Sequence, residues 1–580
     1  MSSGYLRDDY LLLLSGRKGG FSEAQLTHSV FGSLVPGFEF GFSALASLHP
    51  VPRWPAVFIT VLLYAIVLFL FYRLAELLVG PRPVLIPLMA IAGLSGVLAT
   101  SLVWWTAGLN SLPAVACDLL ALDGLARHAI TGKRRHLAVS IVSFAVGIAF
   151  FDPSASFAAV LVTFAAFYLI DLHNWRELVG GLVRRGWIWF GYAVPIILNV
   201  AWRSAHPGEY LLSPFPTIDQ ALNFLGAGWA QGYVPSALGF TYANVSQGLP
   251  RIFLEVVGQV LFFGIVFASI YRRRDAWMAW VMFGSGFAVL DVIAAIGRAS
   301  EGTQIAGNTV YWTAQPFILS ITVLLAFLPI RSGFAASSHE VTPRRLPHFE
   351  DFRIVILLGS AVLVLCAFGI DSMWTTPDRS QGALNRSYIQ HLSTSWNQVQ
   401  TKVSHPFVWN TIVPIFALGP IIDRVQVTAG VLINLRIDAT SGEGYIVSDS
   451  GTLTPATRDV VSRAAIGELS PNSTLCFRRR TTAWTETVPL SASVPTGNWF
   501  LRLSYKRSSG FSTTIAEASV KLAKGSGEFL VPDSTSIAHP SLSLRIPAGA
   551  SACIAAADFE APVVRGNAVI GPSTPTQPAQ

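Results

Sequence analysis

Between residues 55 and 371 hydrophobic residues gather into blocks separated by short polar connections. Each block runs about 16–25 residues, the length at which a helix crosses a hydrocarbon core of roughly 30 Å. The pattern predicts spans over 55–79, 84–104, 108–128, 137–151, 156–174, 187–203, 252–271, 277–297, 310–330 and 353–371. The 137–151 block is short and is expected to tilt with its partner around Asp152-Pro153. After Asp371 the periodicity changes from helical to alternating, as in Val425–Ile437, Trp499–Tyr505 and Ser541–Ile546. Alternation bounded by Gly, Ser, Thr and Pro clusters predicts antiparallel strands. Phe407–Leu418 is apolar but too short to cross and is interrupted by Pro414, so it is expected at an interface or over the strands. The predicted fold class is an all-α membrane bundle of about ten transmembrane helices plus a C-terminal extracytoplasmic β-sandwich. Four segments follow: 1–54, polar to mixed; 55–372, the bundle; 373–570, β-rich; and 571–580, a Pro-, Thr- and Gln-rich tail expected to be disordered.

Composition strengthens this reading. Only 13% of the 580 residues are charged and 52% are hydrophobic, whereas soluble domains carry roughly 25% charged residues. The net charge of +7 raises nucleic-acid binding as an alternative. The basic residues, however, cluster between hydrophobic blocks, which is how membrane proteins mark their cytoplasmic loops. No nucleic-acid partner is expected; the lipid bilayer is. Cys117 and Cys366 lie inside apolar blocks as packing residues. Cys476 and Cys553 lie in the polar C-terminal region and are candidates for a disulfide if that region is exported. Arg outnumbers Lys, and Ala and Gly are plentiful, as in a high-GC bacterium.

The loops set the orientation. One set carries Arg82; Arg127, Lys133, Arg134 and Arg135; Arg176, Arg184 and Arg185; Arg272, Arg273 and Arg274; and Arg331, Arg344, Arg345 and Arg353. The other carries Arg203, Arg251 and Arg298. The first set is therefore cytoplasmic, both termini lie outside, and the protein is expected in a bacterial plasma membrane with its C-terminal domain extracytoplasmic. An outer N-terminus without a signal peptide leads to the expectation that one helix precedes Met1 in the natural chain.

Candidate chemistry concentrates at the outer face. Asp8 and Asp9, within Arg7-Asp8-Asp9-Tyr10, form an adjacent carboxylate pair, a place where a proton is taken from an incoming hydroxyl. Glu39, Asp152, Arg203, Asp291 and Arg298 map to the same ends of the spans. Asp291 and Arg298 are two helical turns apart and share a face. Asp118 and Asp123 lie deeper; Asp123 with Arg127 is an i,i+4 pair and reads as a structural contact.

At these residues the chain resembles membrane glycosyltransferases of the GT-C superfamily. The resemblance rests on Arg7-Asp8-Asp9-Tyr10, then Leu34-Val35-Pro36-Gly37-Phe38, then a span, with the Trp104–Asn110 and Phe150-Phe151-Asp152 turns and the exported β-domain. These features are similar to actinobacterial members, including cell-wall arabinofuranosyltransferases. The resemblance covers about residues 5–330; no DxD motif is evident in it, and the usual helix ahead of the acidic pair is absent. It implies transfer of a sugar from a polyprenyl-phosphate donor to a cell-envelope polysaccharide or other glycan, lipid or protein acceptor. Asp8 or Asp9 is then the general base, and nearby negative charge favours an oxocarbenium-like centre. Arg298, Arg203 and His28 would meet the donor phosphate, with Asp291, Asp152 and Glu39 in the substrate site. No cofactor is expected; a divalent metal is compatible with this chemistry but nothing indicates one.

Each residue also has a plainer role. Asp8 and Asp9 are ordinary solvated charges near a terminus, Arg203 and Arg298 snorkelling membrane-edge anchors, Asp152-Pro153 a turn, and Asp291 a bundle pair. The competing function is a transporter, flippase or non-catalytic glycan-binding membrane protein. A transporter would show related halves and charges near the midplane; the chain has no internal repeat and most of its ionisable residues gather at one face.

Overall fold

The computed structural model of the chain describes residues 5–6, 8–30, 32–48, 51, 53–169, 186–206, 216–234, 251–273, 275–303, 305–331, 334, 352–375, 377–409, 443–448, 452–463, 465–466, 475–477, 482, 484–491, 499–507, 511–515, 518–522, 525–533, 541–546 and 551–564. Arg7, Arg176, Arg184, Arg185, Arg274, Arg344 and Arg345, the predicted strand Val425–Ile437 and the tail from Gly571 lie outside the described residues. The chain divides into two compact units, 1–385 and 386–580.

In the first unit the helices are α1 (Asp9–Gly19), α2 (Glu23–Leu26), α3 (Pro36–Ala46), α4 (Arg53–Val79), α5 (Leu85–Gly93), α6 (Ala99–Val103), α7 (Trp105–Thr131), α8 (Arg134–Phe150) and α9 (Phe157–Tyr168). They continue with α10 (Gly186–Ala205), α11 (Ile218–Ala227), α12 (Arg251–Arg272), α13 (Ala276–Arg298), α14 (Gln315–Phe327) and α15 (Phe352–Thr375). The predicted spans overlap these helices, except that 84–104 is split between α5 and α6, and 156–174 is described only as far as Leu169. Among the described residues five helices are long and apolar enough to cross a membrane, and α5 with Gly96–Val103, bent by 42°, makes a sixth if counted as one span. The protein is a multi-pass, mostly helical membrane protein.

Lipid, rather than water, explains which faces are buried. The most apolar stretch of α4 is only 33% buried within the protein, whereas that of the less apolar α7 is 83% buried. Phe58 and Phe69 on α4 and Phe190 and Leu198 on α10 are exposed. In water such faces would be an aggregation hazard; in a bilayer they meet acyl chains. α7 is the central helix, packing extensively on α4 and α8. Gly108 and Gly124 let its neighbours close in: a Cβ at Gly108 would lie 2.4 Å from the Ser101 carbonyl oxygen, and one at Gly124 2.7 Å from that of His136. Small residues at such contacts substitute van der Waals packing for the missing hydrophobic drive.

The segment ahead of α4 is a helical arm packed on the bundle. α1 lies against α3, where a Cβ on Gly16 would come within 3.1 Å of Ser43 backbone atoms. Phe38, Phe42 and Trp105 pack in sequence, ring on ring, so α3 reaches the start of α7.

The polar helix α16 (Pro377–Lys402) follows, across the boundary between the units. It stands where the sequence suggests only the beginning of a β-rich region. The strands of the second unit are β1 (Pro406–Val408), β2 (Glu443–Val447), β3 (Leu453–Arg463), β4 (Ala465–Ile466), β5 (Leu475–Phe477), β6 (Trp484–Ser491), β7 (Trp499–Arg507), β8 (Phe511–Ile515), β9 (Ala518–Leu522), β10 (Gly525–Asp533), β11 (Ser541–Ile546) and β12 (Ala552–Val564). They form a seven-stranded sheet ordered β1-β2-β3-β12-β7-β10, with β5 also on β12, and a five-stranded sheet ordered β4-β6-β11-β8-β9. The pairings are antiparallel except β1 with β2. The predicted strands at 499–505 and 541–546 are β7 and β11. Cys476 on β5 lies opposite Cys553 on β12, and the two form a disulfide.

Candidate functional site

α7 begins without a cap of its own: Trp104, its N-cap, makes no side-chain capping bond. The first N–H groups of a helix need acceptors, and Asp9 supplies one from 97 residues away. Its Oδ1 accepts from the Thr106 N–H at 2.8 Å and the Thr106 hydroxyl at 2.5 Å, and its Oδ2 accepts from the Leu6 N–H at 2.8 Å. A carboxylate also suits the positive end of the helix dipole. Arg53, opening α4, brings Nη1 to 3.9 Å from Asp9 Oδ2. Its Nη2 donates to the Val103 carbonyl at 3.1 Å, and its guanidinium lies over the Tyr5 ring at 4.9 Å. Its buried Nε and Nη1 have no hydrogen-bond acceptor.

Asp9 is wholly buried, and desolvation pushes its carboxyl above the usual range; Arg53 first, then the bonds from Thr106 and Leu6, oppose that rise. Asp8, buried beside it at the head of α1, accepts from the Leu12 N–H through its backbone carbonyl. Asn385 anchors the stretch just ahead, donating to the Tyr5 carbonyl at 2.9 Å. The acidic pair is thus fixed inside the protein rather than solvated at a loose terminus.

The other predicted residues fall into separate clusters. Glu39 on α3 is buried, and its Oε2 accepts from Gln25 Nε2, whose own Oε1 accepts from the Ser15 hydroxyl at 3.2 Å. Glu39 Oε1 has no hydrogen-bond partner. Burial pushes Glu39 up to about 7, with the Gln25 bond working against it. His28 is exposed near this cluster, its N–H donating to the Gln25 carbonyl at 3.2 Å. Asp152 and Arg203, both named from the sequence, are joined by an ion pair of 3.1 Å. Asn199 completes that clamp, donating to Asp152 Oδ1 at 3.0 Å and to the Leu34 carbonyl at 3.3 Å.

Asp291 is buried on α13, and Gly228 gives it room: a Cβ there would stand 2.8 Å from Asp291 Oδ1. Gly228 opens a π-helical turn, Gly228–Tyr233, an element enriched at functional sites. Arg298 is half-buried in the last turn of the same helix.

Sequence reasoning missed Arg53, Thr106, Gln25 and Asn199. Arg53 carried a usable signal, since it lies in the same segment as the acidic pair, immediately before the first span. The other three are uncharged residues whose roles appear only once distant elements meet. Among the described residues a cavity in the bundle is lined in part by Asp118, Ser154, Thr313 and Gln315, and Asp8 and Asp9 do not line it. Among the described residues no three His, Cys, Asp or Glu side chains converge as a metal-ligating group.

No family model matches the chain, and no curated protein matches it in sequence. Among solved structures, it is similar to ArnT from Cupriavidus metallidurans in the apo state, at 13% identity and a TM-score of 0.41 over 77% of this chain and 90% of that one. ArnT from the same organism bound to undecaprenyl phosphate gives 14% identity and a TM-score of 0.42 over 80% and 93%. The arabinosyltransferase EmbB from Mycobacterium smegmatis gives 11% and 0.34 over 95% and 62%. At such identities and scores the likeness assigns neither family nor activity.

Proposed function

We propose that the chain is a membrane glycosyltransferase of GT-C type that moves a sugar from a polyprenyl-phosphate donor to an extracytoplasmic glycan, lipid or protein acceptor. The observation carrying this reading is the buried Asp8-Asp9 pair beside Arg53, whose Nε and Nη1 have no hydrogen-bond acceptor. Carboxylates and a guanidinium with donors to spare are what sugar transfer from a phosphate requires. One group removes the acceptor's proton, and the other takes up charge on the leaving phosphate. Both Asp9 oxygens already accept hydrogen bonds. In this reading Asp9 therefore positions the arm on α7 and Asp8 is the base.

Arg53 joins Arg298, Arg203 and His28 as candidates for the donor phosphate, and Arg53 leads because Arg203 is already paired with Asp152. Asp152, Glu39 and Asp291 would shape the surrounding substrate site. The charge of the connecting loops supports a reading with the acidic arm and the C-terminal unit on the extracytoplasmic side of a bacterial plasma membrane. There the two sheets would close into a sandwich that orients the acceptor.

The reaction breaks the anomeric C–O bond to phosphate and forms one to the acceptor oxygen. The acceptor's proton passes to Asp8, and the electron pair of the broken bond leaves with the polyprenyl phosphate. The test supplies membranes holding the full chain with a panel of polyprenyl-phosphate sugars. Transfer from one donor, lost in Asp8→Asn with membrane insertion intact, is the expected result. Full activity in Asp8→Asn, or no transfer from any donor, overturns the assignment.

A further inference from the structure

The turn between α7 and α8 carries a run of cations that the protein itself does not neutralise. Gly132 closes α7 at φ 66°. The turn is then pinned by His128 Nδ1, 3.1 Å from the Lys133 carbonyl oxygen, and by the Lys133 N–H, which donates to the Thr131 hydroxyl at 3.3 Å. From this fixed turn Lys133, Arg134 and Arg135 stand exposed. Among the described residues none of the three forms an ion pair, and α8 contains no acidic residue. The cluster is close enough to act as one: partial burial first, then the charges of Arg135, Arg127 and Lys133, push the His136 imidazole below its ordinary range. Asp123 opposes that shift, but its Oδ2 already accepts from Arg127 and Arg73. Nor do these cations serve α8, because positive charge in the first turn of a helix opposes its dipole.

Below the charges the same face of α8 is apolar. Arg135, Val139, Val142 and Val146 follow i, i+4, i+7, i+11 spacing and share one stripe. The three valines are 44%, 61% and 40% exposed. From Arg135 to Val146 the stripe runs about 16 Å, about half of a hydrocarbon core of roughly 30 Å. A cationic head above one leaflet's depth of apolar surface has the outline of a phospholipid. Cations that only mark a membrane side could stand on any face of the helix, whereas Arg135 falls in the middle of the stripe open to lipid. A soluble anion would meet the charges and leave the valines unused, and a zwitterionic headgroup brings a cation of its own.

We propose that α8 and the turn ahead of it bind one anionic glycerophospholipid, its headgroup phosphate held by Lys133, Arg134 and Arg135 and an acyl chain laid along Val139, Val142 and Val146. Guanidinium forks and an ammonium both suit phosphate oxygens. The lipid belongs to the leaflet that the turn faces, the cytoplasmic one by the charge of the loops. The proposal does not depend on the transferase reading.

The test titrates purified full-length protein, in an uncharged detergent, with phosphatidylglycerol or with phosphatidylcholine of identical acyl chains. Tm reports binding, since a ligand of the folded form stabilises it by mass action, and native mass spectrometry counts the lipids retained. Phosphatidylglycerol should bind at least about tenfold more tightly, one molecule per chain, with an advantage that shrinks at high salt. Each basic residue near an anionic headgroup is worth about fivefold in binding. Arg135→Gln should therefore weaken phosphatidylglycerol by about fivefold, and combining it with Lys133→Gln and Arg134→Gln by about a hundredfold. Val142→Asn should weaken both lipids alike. Glycerol phosphate, which has the anion without the chains, should leave Tm unchanged. Should the triple variant not fold, the wild-type comparison and Arg135→Gln still decide. Equal affinity for the two lipids, no lipid retained, glycerol phosphate bound as tightly as phosphatidylglycerol, or a preference undiminished in Arg135→Gln overturns the proposal.

Discussion

The two ends of α7 each hold a buried carboxylate, and the two are satisfied differently. Near its C-terminal end Asp123 Oδ2 accepts from Arg127 at 2.8 Å and from Arg73 at 3.2 Å. Two guanidinium groups balance one negative charge, as a structural contact should. At the N-terminal end Asp9 is held by the Thr106 and Leu6 donors, which carry no formal charge, while Arg53 stands off at 3.9 Å. Neutral donors fix the position of a carboxylate without cancelling its charge, and the nearby cation keeps donors in reserve. One end sets two guanidinium groups on a single carboxylate oxygen, Asp123 Oδ1 having no hydrogen-bond partner; the other sets neutral donors on both oxygens of Asp9, with the spare donors on Arg53.

The comparison breaks most readily on activity. Asp8→Asn should lower sugar transfer by about 10²–10⁴-fold, the usual contribution of a positioned base. Asp123→Asn should leave the rate within about twofold while lowering Tm, because it touches only the far end. Equal losses from both would erase the distinction between the ends.

Next in size is a pH effect from Glu39. Its folded value of about 7 stands above the ordinary 4.5, so the folded state holds the proton more tightly. The resulting stability is fully present below pH 4.5 and is lost as pH rises through 7. The loss is on the order of 3 kcal/mol. Tm should fall between pH 5 and pH 8, roughly the window those two values bracket. Glu39→Gln should flatten that part of the profile.

Arg53→Gln sharpens the picture further. A drop of about tenfold in kcat/KM, the cost of one charge-assisted contact to phosphate, is expected with little change in Tm. If Arg53 serves only to pair with Asp9, Tm falls instead and kcat/KM per folded molecule stays level. The smallest effect belongs to Thr106→Val, which removes one donor to Asp9 and should cost about 1–2 kcal/mol in stability. Thr106→Ser should restore it.

The helical spans were readable because block length and loop charge are local properties. α7 and α13 match their predicted limits to within about three residues, the usual uncertainty of element ends. The Asp123–Arg127 pair was readable for the same reason, since i,i+4 spacing on one helix fixes a contact without any tertiary knowledge. α16 was not readable as part of a β-rich region: its polar residues carry no long apolar block, and the reading relied on the alternation further along. The burial of Asp8 and Asp9 escaped for a different reason. It depends on Thr106, 97 residues away, offering bare helix N–H groups, and no local pattern announces such an encounter. Likewise Asp152 and Arg203 were both picked out by their outer position, but their mutual pairing belongs to the packing of α10 beside the Asp152 turn.

Gly16 makes the arm a lever with a fixed fulcrum. A Cβ there would press on main-chain atoms of Phe42 and Ser43 at 3.1–3.2 Å, so backbone rather than a yielding rotamer would have to give, by a few tenths of an ångström. A single methyl would thus ease α1 slightly off α3, and the shift would be felt at the Asp9–Thr106 bonds at the helix's far end. The spacing between two acids and the helix they serve is set, two turns away, by one missing carbon.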